Sequence, residues 1–103
     1  MGTDNMSIRQ STEQELAAFL EENPEWVVQT GKLHREFLFR DFCGAFGFMS
    51  QIALVAERSD HHPEWFNVYN RVVVDLTTHD ANGITQRDFE LAAKMSEVAA
   101  GVL

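Results

Sequence analysis

The chain of 103 residues carries one cysteine, Cys43. A single thiol forbids an intrachain disulfide and cannot build a thiolate metal cluster. No Lys or His lies within five residues of Cys43, and its neighbours are mostly apolar, so it reads as buried filler rather than a reactive thiol. No run of about 18 apolar residues occurs, which excludes an ordinary transmembrane helix. The opening stretch, Met1 to Gln10, has no apolar core of a secretory signal. Met6 stands where a myristoylation pattern needs Ser or Thr. Basic residues are scarce as well, 8 against 16 acidic, giving a formal net charge of -8. That surface repels phosphate backbones, so neither direct nucleic-acid binding nor membrane insertion is expected. A soluble cytoplasmic protein is the expectation. Internal repeats and low-complexity segments are also missing.

What is present is a core. The chain is 45% hydrophobic with eight Phe and two Trp, enough for one packed domain and too short for two. Residues 1–10 read as a flexible tail and 11–103 as the single domain. Ser11-Thr12-Glu13-Gln14-Glu15 resembles a capping box, and Leu16, Phe19 and Leu20 give a short helix its apolar stripe until Pro24 ends it. Trp26–Gln29 and Leu33–Arg40 form a hairpin across Thr30-Gly31-Lys32. Period two puts Leu33, Arg35, Phe37 and Phe39 on one face of the second strand. Asp41 is the N-cap of a helix from Phe42 to about Arg58 that is apolar around most of its circumference. One side can cover a sheet; the other then meets a second subunit, or else the helix is wholly buried in a monomer. Trp65–Tyr69 and Val72–Thr78 pair across Asn70-Arg71. Thr85 caps a last helix carrying Phe89, Ala92, Met95, Ala99 and Val102. The order α-β-β-α-β-β-α with short connections predicts an α+β fold, an antiparallel sheet with helices packed on one face.

Three of the four histidines gather around one stretch: His61 and His62 in Asp60-His61-His62-Pro63, and His79 after Val72-Val73-Val74-Asp75-Leu76-Thr77-Thr78. Imidazole has an unperturbed pKa of about 6.5, so it exchanges protons readily near neutrality. Pro63 biases His62 toward an extended backbone, and adjacent residues of an extended segment point to opposite sides. His61 and His62 should therefore have different surroundings. If the two strands flanking Asn70-Arg71 are neighbours, the loop before Trp65 and the residues around His79 share one rim. The residues alone leave three readings open: ordinary surface or core histidines, a zinc site with Asp60, or acid-base catalysis.

The spacing Glu57-x3-His61-His62-Pro63-x5-Tyr69-x9-His79-x8-Asp88 resembles the signature of the pterin-4a-carbinolamine dehydratases. The block His61 to Asn70 and the run Ala45-Phe46-Gly47-Phe48-Met49 resemble that family too, and the likeness runs from about Thr12 to the C-terminus. It implies a four-stranded antiparallel sheet with three helices, a homo-oligomer (dimer or tetramer), and neither metal nor organic cofactor. The implied substrate is 4a-hydroxytetrahydrobiopterin or a related pterin, dehydrated to quinonoid dihydropterin during tetrahydrobiopterin recycling. His61, His62 and His79 are the catalytic set it points to, with His61 and His79 in proton transfer and His62 binding substrate. Asp60, Thr77 and Thr78 would help hold the ring. Glu57 and Asp88 would orient imidazoles, or stand as surface or helix-terminal acids. Trp65 and Tyr69 would line the pocket or pack in the core. The family also contains dimerisation cofactors of a transcription factor, and pterin chemistry in molybdopterin metabolism is a further alternative.

Overall fold

The computed structural model describes residues 8–102. Helix α1 (Glu13–Glu22) starts at Thr12, whose Oγ1 accepts the Glu15 N–H at 3.1 Å while Glu15 Oε1 accepts the Thr12 N–H at 2.8 Å. Two of the helix's orphan donors are thus satisfied reciprocally. Asn23 closes the other end by donating twice to the Phe19 carbonyl, ahead of Pro24. Phe19 stacks on Phe89 with ring centroids 4.6 Å apart, tying α1 to the last helix.

Strands β1 (Val27–Gln29) and β2 (Lys32–Leu38) turn through Thr30 and Gly31, both at positive φ (55° and 77°), the geometry a tight two-residue hairpin needs. β2 continues to β4 (Arg71–Leu76), and β4 pairs with β3 (Glu64–Val68), all antiparallel, in the spatial order β1-β2-β4-β3. Alternation decides the faces. Leu33 and Phe37 of β2 are buried with Val72, Val74 and Leu76 of β4, whereas Glu36 and Leu38 are exposed. The β3–β4 turn is stapled by two amides. Asn67 donates to the carbonyls of Tyr69 and Arg71, and Asn70 donates to that of Phe39.

Helix α2 (Phe42–Ser59) begins at Asp41, which accepts the Gly44 N–H at 2.9 Å, and buries Ala45, Phe48, Ile52 and Ala56 at spacings of three and four. Phe48 meets Phe37 and Phe39 at 4.7 and 5.0 Å between centroids. Its other side is open, with Phe42 49%, Phe46 58% and Leu54 68% exposed. Cys43 lies on that side and is exposed, not buried filler: the core takes only one stripe of α2, and Cys43 falls off it. Helix α3 (Gln86–Val102) buries Phe89, Leu91, Ala92, Met95 and Ala99 in the same core.

Two features place the residues that follow. Asp60 ends α2 in the left-handed conformation (φ 52°, ψ 43°), and the His61 N–H returns to the Ala56 carbonyl at 3.1 Å, so the chain reverses sharply there. The register sets Glu64 opposite Asp75, which brings the entry to β3 beside the exit from β4. A 3-10 turn over His79–Ala81 follows, closed by a bridge between Thr78 and Gly83. Residues 1–7 of the segment read as a tail lie outside the described residues. Within its remainder, Gln10 Nε2 donates to the Ala81 and Asn82 carbonyls at 3.0 and 3.1 Å.

Candidate active site

The rim where β3 begins and β4 ends encloses a cavity of about 350 Å³. Asp60, His61, His62, Thr77, Thr78 and His79 all line it, joined by Pro63, Glu64, Asp80 and Arg87. Its volume lies within the range of small-molecule pockets, about 300 to 1,000 Å³. Trp65 lies outside this lining and is half-buried against the core; Tyr69 sits in the far turn, 61% exposed, in neither pocket nor core.

Each of the three imidazoles has Nε2 beside a carboxylate, hydrogen-bonded for His61 and His62 and within salt-bridge distance for His79. For His61 the partner is Asp88 Oδ1 at 2.7 Å, for His62 it is Glu57 Oε1 at 2.9 Å, and for His79 it is Glu64 Oε2 at 3.4 Å. The environments differ sharply. His61 is buried, while His62 is largely exposed and the His79 side chain is 82% exposed. After the left-handed turn at Asp60 the His61 ring lies inside and the His62 ring faces outward.

Asp88 anchors the buried end. Its side chain is fully buried, and its Oδ2 accepts from Thr78 Oγ1 at 2.8 Å and from the Thr85 N–H at 2.9 Å. Thr85 Oγ1 lies 2.7 Å from Thr78 Oγ1 and accepts the Arg87 N–H at 3.2 Å. With the Thr78 hydroxyl proton directed to Asp88, the Thr85 hydroxyl donates to Thr78, and the chain of donors closes. At the start of α3, Asp88 thus caps the Thr85 N–H and the Thr85 hydroxyl caps that of Arg87. A carboxylate accepting at both oxygens calls for the Nε2–H tautomer of His61, leaving Nδ1 as its proton-exchanging nitrogen. Among the described residues Nδ1 of His61 has no hydrogen-bond partner and no buried side-chain nitrogen or oxygen is left unsatisfied, so Nδ1 reaches open space.

Glu57 and Asp88 therefore each contact an imidazole, and they do so on different ones. Sequence reasoning passed over Glu64, Arg87 and Thr85 as site residues. Thr85-x-x-Asp88 has the spacing of a capping box and was the available signal; Glu64 carried none, since its contact depends on the sheet register. Three His with Asp60 had also left a zinc reading open. Among the described residues, no three His, Cys, Asp or Glu side chains come together as a metal site.

Comparison with known proteins gives the chain a family. The family described as pterin 4 alpha carbinolamine dehydratase matches residues 9–98. A protein of Solibacter usitatus called "Putative pterin-4-alpha-carbinolamine dehydratase" is 60% identical over 90 residues, spanning 87% of this chain and 95% of its own length. A protein of Rhodopseudomonas palustris with the same name is 50% identical over 95 residues, spanning 90% and 94%. A crystal structure of a transcriptional coactivator/pterin dehydratase from Brucella melitensis superposes with a TM-score of 0.84 at 48% identity, covering 88% of this chain and 99% of that one. The chain belongs to the pterin-4a-carbinolamine dehydratase family of hydro-lyases.

Proposed function

We propose that the chain dehydrates 4a-hydroxytetrahydrobiopterin, or a close relative, by proton transfer between imidazoles and substrate. The observation that carries the reading is the buried His61–Asp88 pair bordering the same cavity as the exposed His79. Hydroxide is a poor leaving group, so the C4a oxygen takes a proton as the C4a–O bond breaks. N5 loses its proton, the C4a=N5 double bond forms, and water departs. One imidazole acts as acid and another as base. Each such transfer typically contributes about 10² to 10⁴-fold. His61 and His79 serve as that pair; His62, backed by Glu57, binds the ring together with Asp60, Thr77 and Thr78. Proton transfer of this kind needs no metal or organic cofactor. Recycling of tetrahydrobiopterin is the role that fits this substrate, and self-association through the open side of α2 is part of the reading.

The test is stopped-flow absorbance of freshly made 4a-hydroxytetrahydropterin, with chelator present, for wild type and His79→Ala. Fast decay with wild type that falls toward the uncatalysed rate in the variant is expected. No acceleration by folded wild type overturns the enzymatic reading.

A second reading, a protein-interaction role, has one observation in its favour: Phe42, Phe46 and Leu54 stand exposed along α2. The words "transcriptional coactivator" attached to the Brucella protein are in keeping with it. Its test is co-purification from the source cell. Recovery of this chain alone counts against it.

A further inference from the structure

We propose that Glu64, clamped by Lys32, is a positioning residue for His79. The inference rests on the dehydratase reading for its kinetic consequence, and on geometry for its physical core. Glu64 opens β3 immediately after Pro63, and its two carboxylate oxygens divide their work. Oε2 lies 3.4 Å from His79 Nε2, and Oε1 lies 2.6 Å from Lys32 Nζ. Lys32 opens β2, and β4 runs between β2 and β3, so the lysine side chain reaches across a whole strand to the carboxylate. That hydrogen bond to Glu64 also raises the lysine pKa above its ordinary value, with Asp75 adding to the effect.

The arrangement answers a need. His61 and His62 have carboxylates at 2.7 and 2.9 Å, whereas His79 stands on a short 3-10 turn, mostly in water. An exposed ring samples several rotamers, and a carboxylate held in place selects one of them. A free glutamate would itself be mobile; the ammonium of Lys32 pins it. At 3.4 Å the His79 contact is looser than the other two, an approach of carboxylate to ring rather than a well-formed hydrogen bond. Two other acids are near. Asp75 is engaged with His34 Nδ1 at 2.9 Å, and Asp80 follows His79 in the turn; among the described residues, Glu64 is the one acid within 4 Å of the His79 ring nitrogens. An exposed Lys–Glu pair contributes little to fold stability, so stability alone does not account for this one.

Three variants test the proposal: Glu64→Gln, Lys32→Met, and the exchange Lys32→Glu/Glu64→Lys. Each is assayed for dehydration rate, for thermal midpoint, and for order of the His79 ring by ¹³C relaxation in the free protein. Glu64→Gln is expected to lower kcat by about tenfold with KM little changed, and to loosen the His79 ring. Lys32→Met should do the same more weakly. All three variants should keep nearly the wild-type thermal midpoint; the exchange restores the ion pair but sets an ammonium against His79, so kcat stays low and the ring stays loose. Recovery of kcat and ring order in the exchange would show the pair to be merely structural. An unchanged His79 ring in Glu64→Gln overturns the proposal whatever the activity. Failure of wild type to dehydrate the pterin overturns the enzymatic reading alone, because ring order is read without substrate.

Discussion

Gln10 Nε2 donates to the carbonyl oxygens of both Ala81 and Asn82, so a side chain preceding the first helix holds the turn on which His79 stands. The contact spans 71 positions of sequence. Gly83 leaves room for it, since a Cβ there would lie 3.1 Å from Gln10 Cδ. Gln10→Ala should cost about 0.5–1.5 kcal/mol in urea unfolding and lower turnover several-fold through a looser turn. Gly83→Ala should destabilise by a similar amount, and the double variant should be no worse than Gln10→Ala. Additive losses would show that the two residues do not meet in solution.

Asp88 receives three donors, so replacing it removes a partner from each. Asp88→Ala should cost about 3 kcal/mol or more in urea unfolding, because Thr78, the Thr85 N–H and His61 all lose their acceptor. Asp88→Asn keeps the shape but aims an amide N–H at one of these donors. If it faces His61, the ring flips to the Nδ1–H tautomer, which ¹⁵N spectra report directly. Turnover should then fall by at least about 10²-fold. A native tautomer with full activity in Asp88→Asn would remove Asp88 from the mechanism.

Single alanines at His61 and His79 should each lose about 10² to 10⁴-fold in turnover. Their stabilities should part company. His79 is exposed, so its loss leaves unfolding unchanged, whereas His61→Ala leaves the Asp88 carboxylate buried without its imidazole. If the pair works as a unit, the double variant is little slower than the worse single one. Multiplied losses in the double variant would mean independent roles.

The Arg9–Glu15 pair makes a pH-dependent contribution at the head of α1. Hydrogen bonding from Arg9, joined by the Thr12 N–H, lowers the Glu15 carboxyl from 4.5 to about 2. A depressed folded value stabilises the native state above the unfolded pKa, and that contribution drains away as pH falls from near 4.5 toward about 2. Arg9→Met should return the Glu15 titration, followed by carboxyl ¹³C shifts, most of the way to 4.5. Both groups are solvent-exposed, so the stability change itself should be small.

Local pattern carried much of this molecule. The alternation of Leu33, Phe37 and Phe39 against Glu36 and Leu38 announces a one-sided strand, and Asp41 ahead of the apolar run Phe42–Ala56 announces a capped helix, though not that Ala45, Phe48, Ile52 and Ala56 form its buried stripe. His61, His62 and His79 fall within one short stretch whose ends the β3–β4 pairing brings together, so their meeting followed from a hairpin that local turn chemistry could specify. Contacts across the sheet were another matter. Lys32 reaches Glu64 only because β4 inserts between β2 and β3, and nothing local in either segment encodes that order. Cys43 and Tyr69 show the same limit from the apolar side. Their neighbours are hydrophobic, yet which stripe of a helix or which end of a hairpin meets the core is settled by packing.

The cap at the start of α3 ties architecture to chemistry through a count of residues. Thr85 and Asp88 close the helix end at a spacing of three, and the same carboxylate backs His61. Removing one residue between them would swing the acid by about 100° around the helix axis, breaking the cap and stranding the imidazole together. Insertions and deletions in this segment should therefore be purged by selection on two grounds at once.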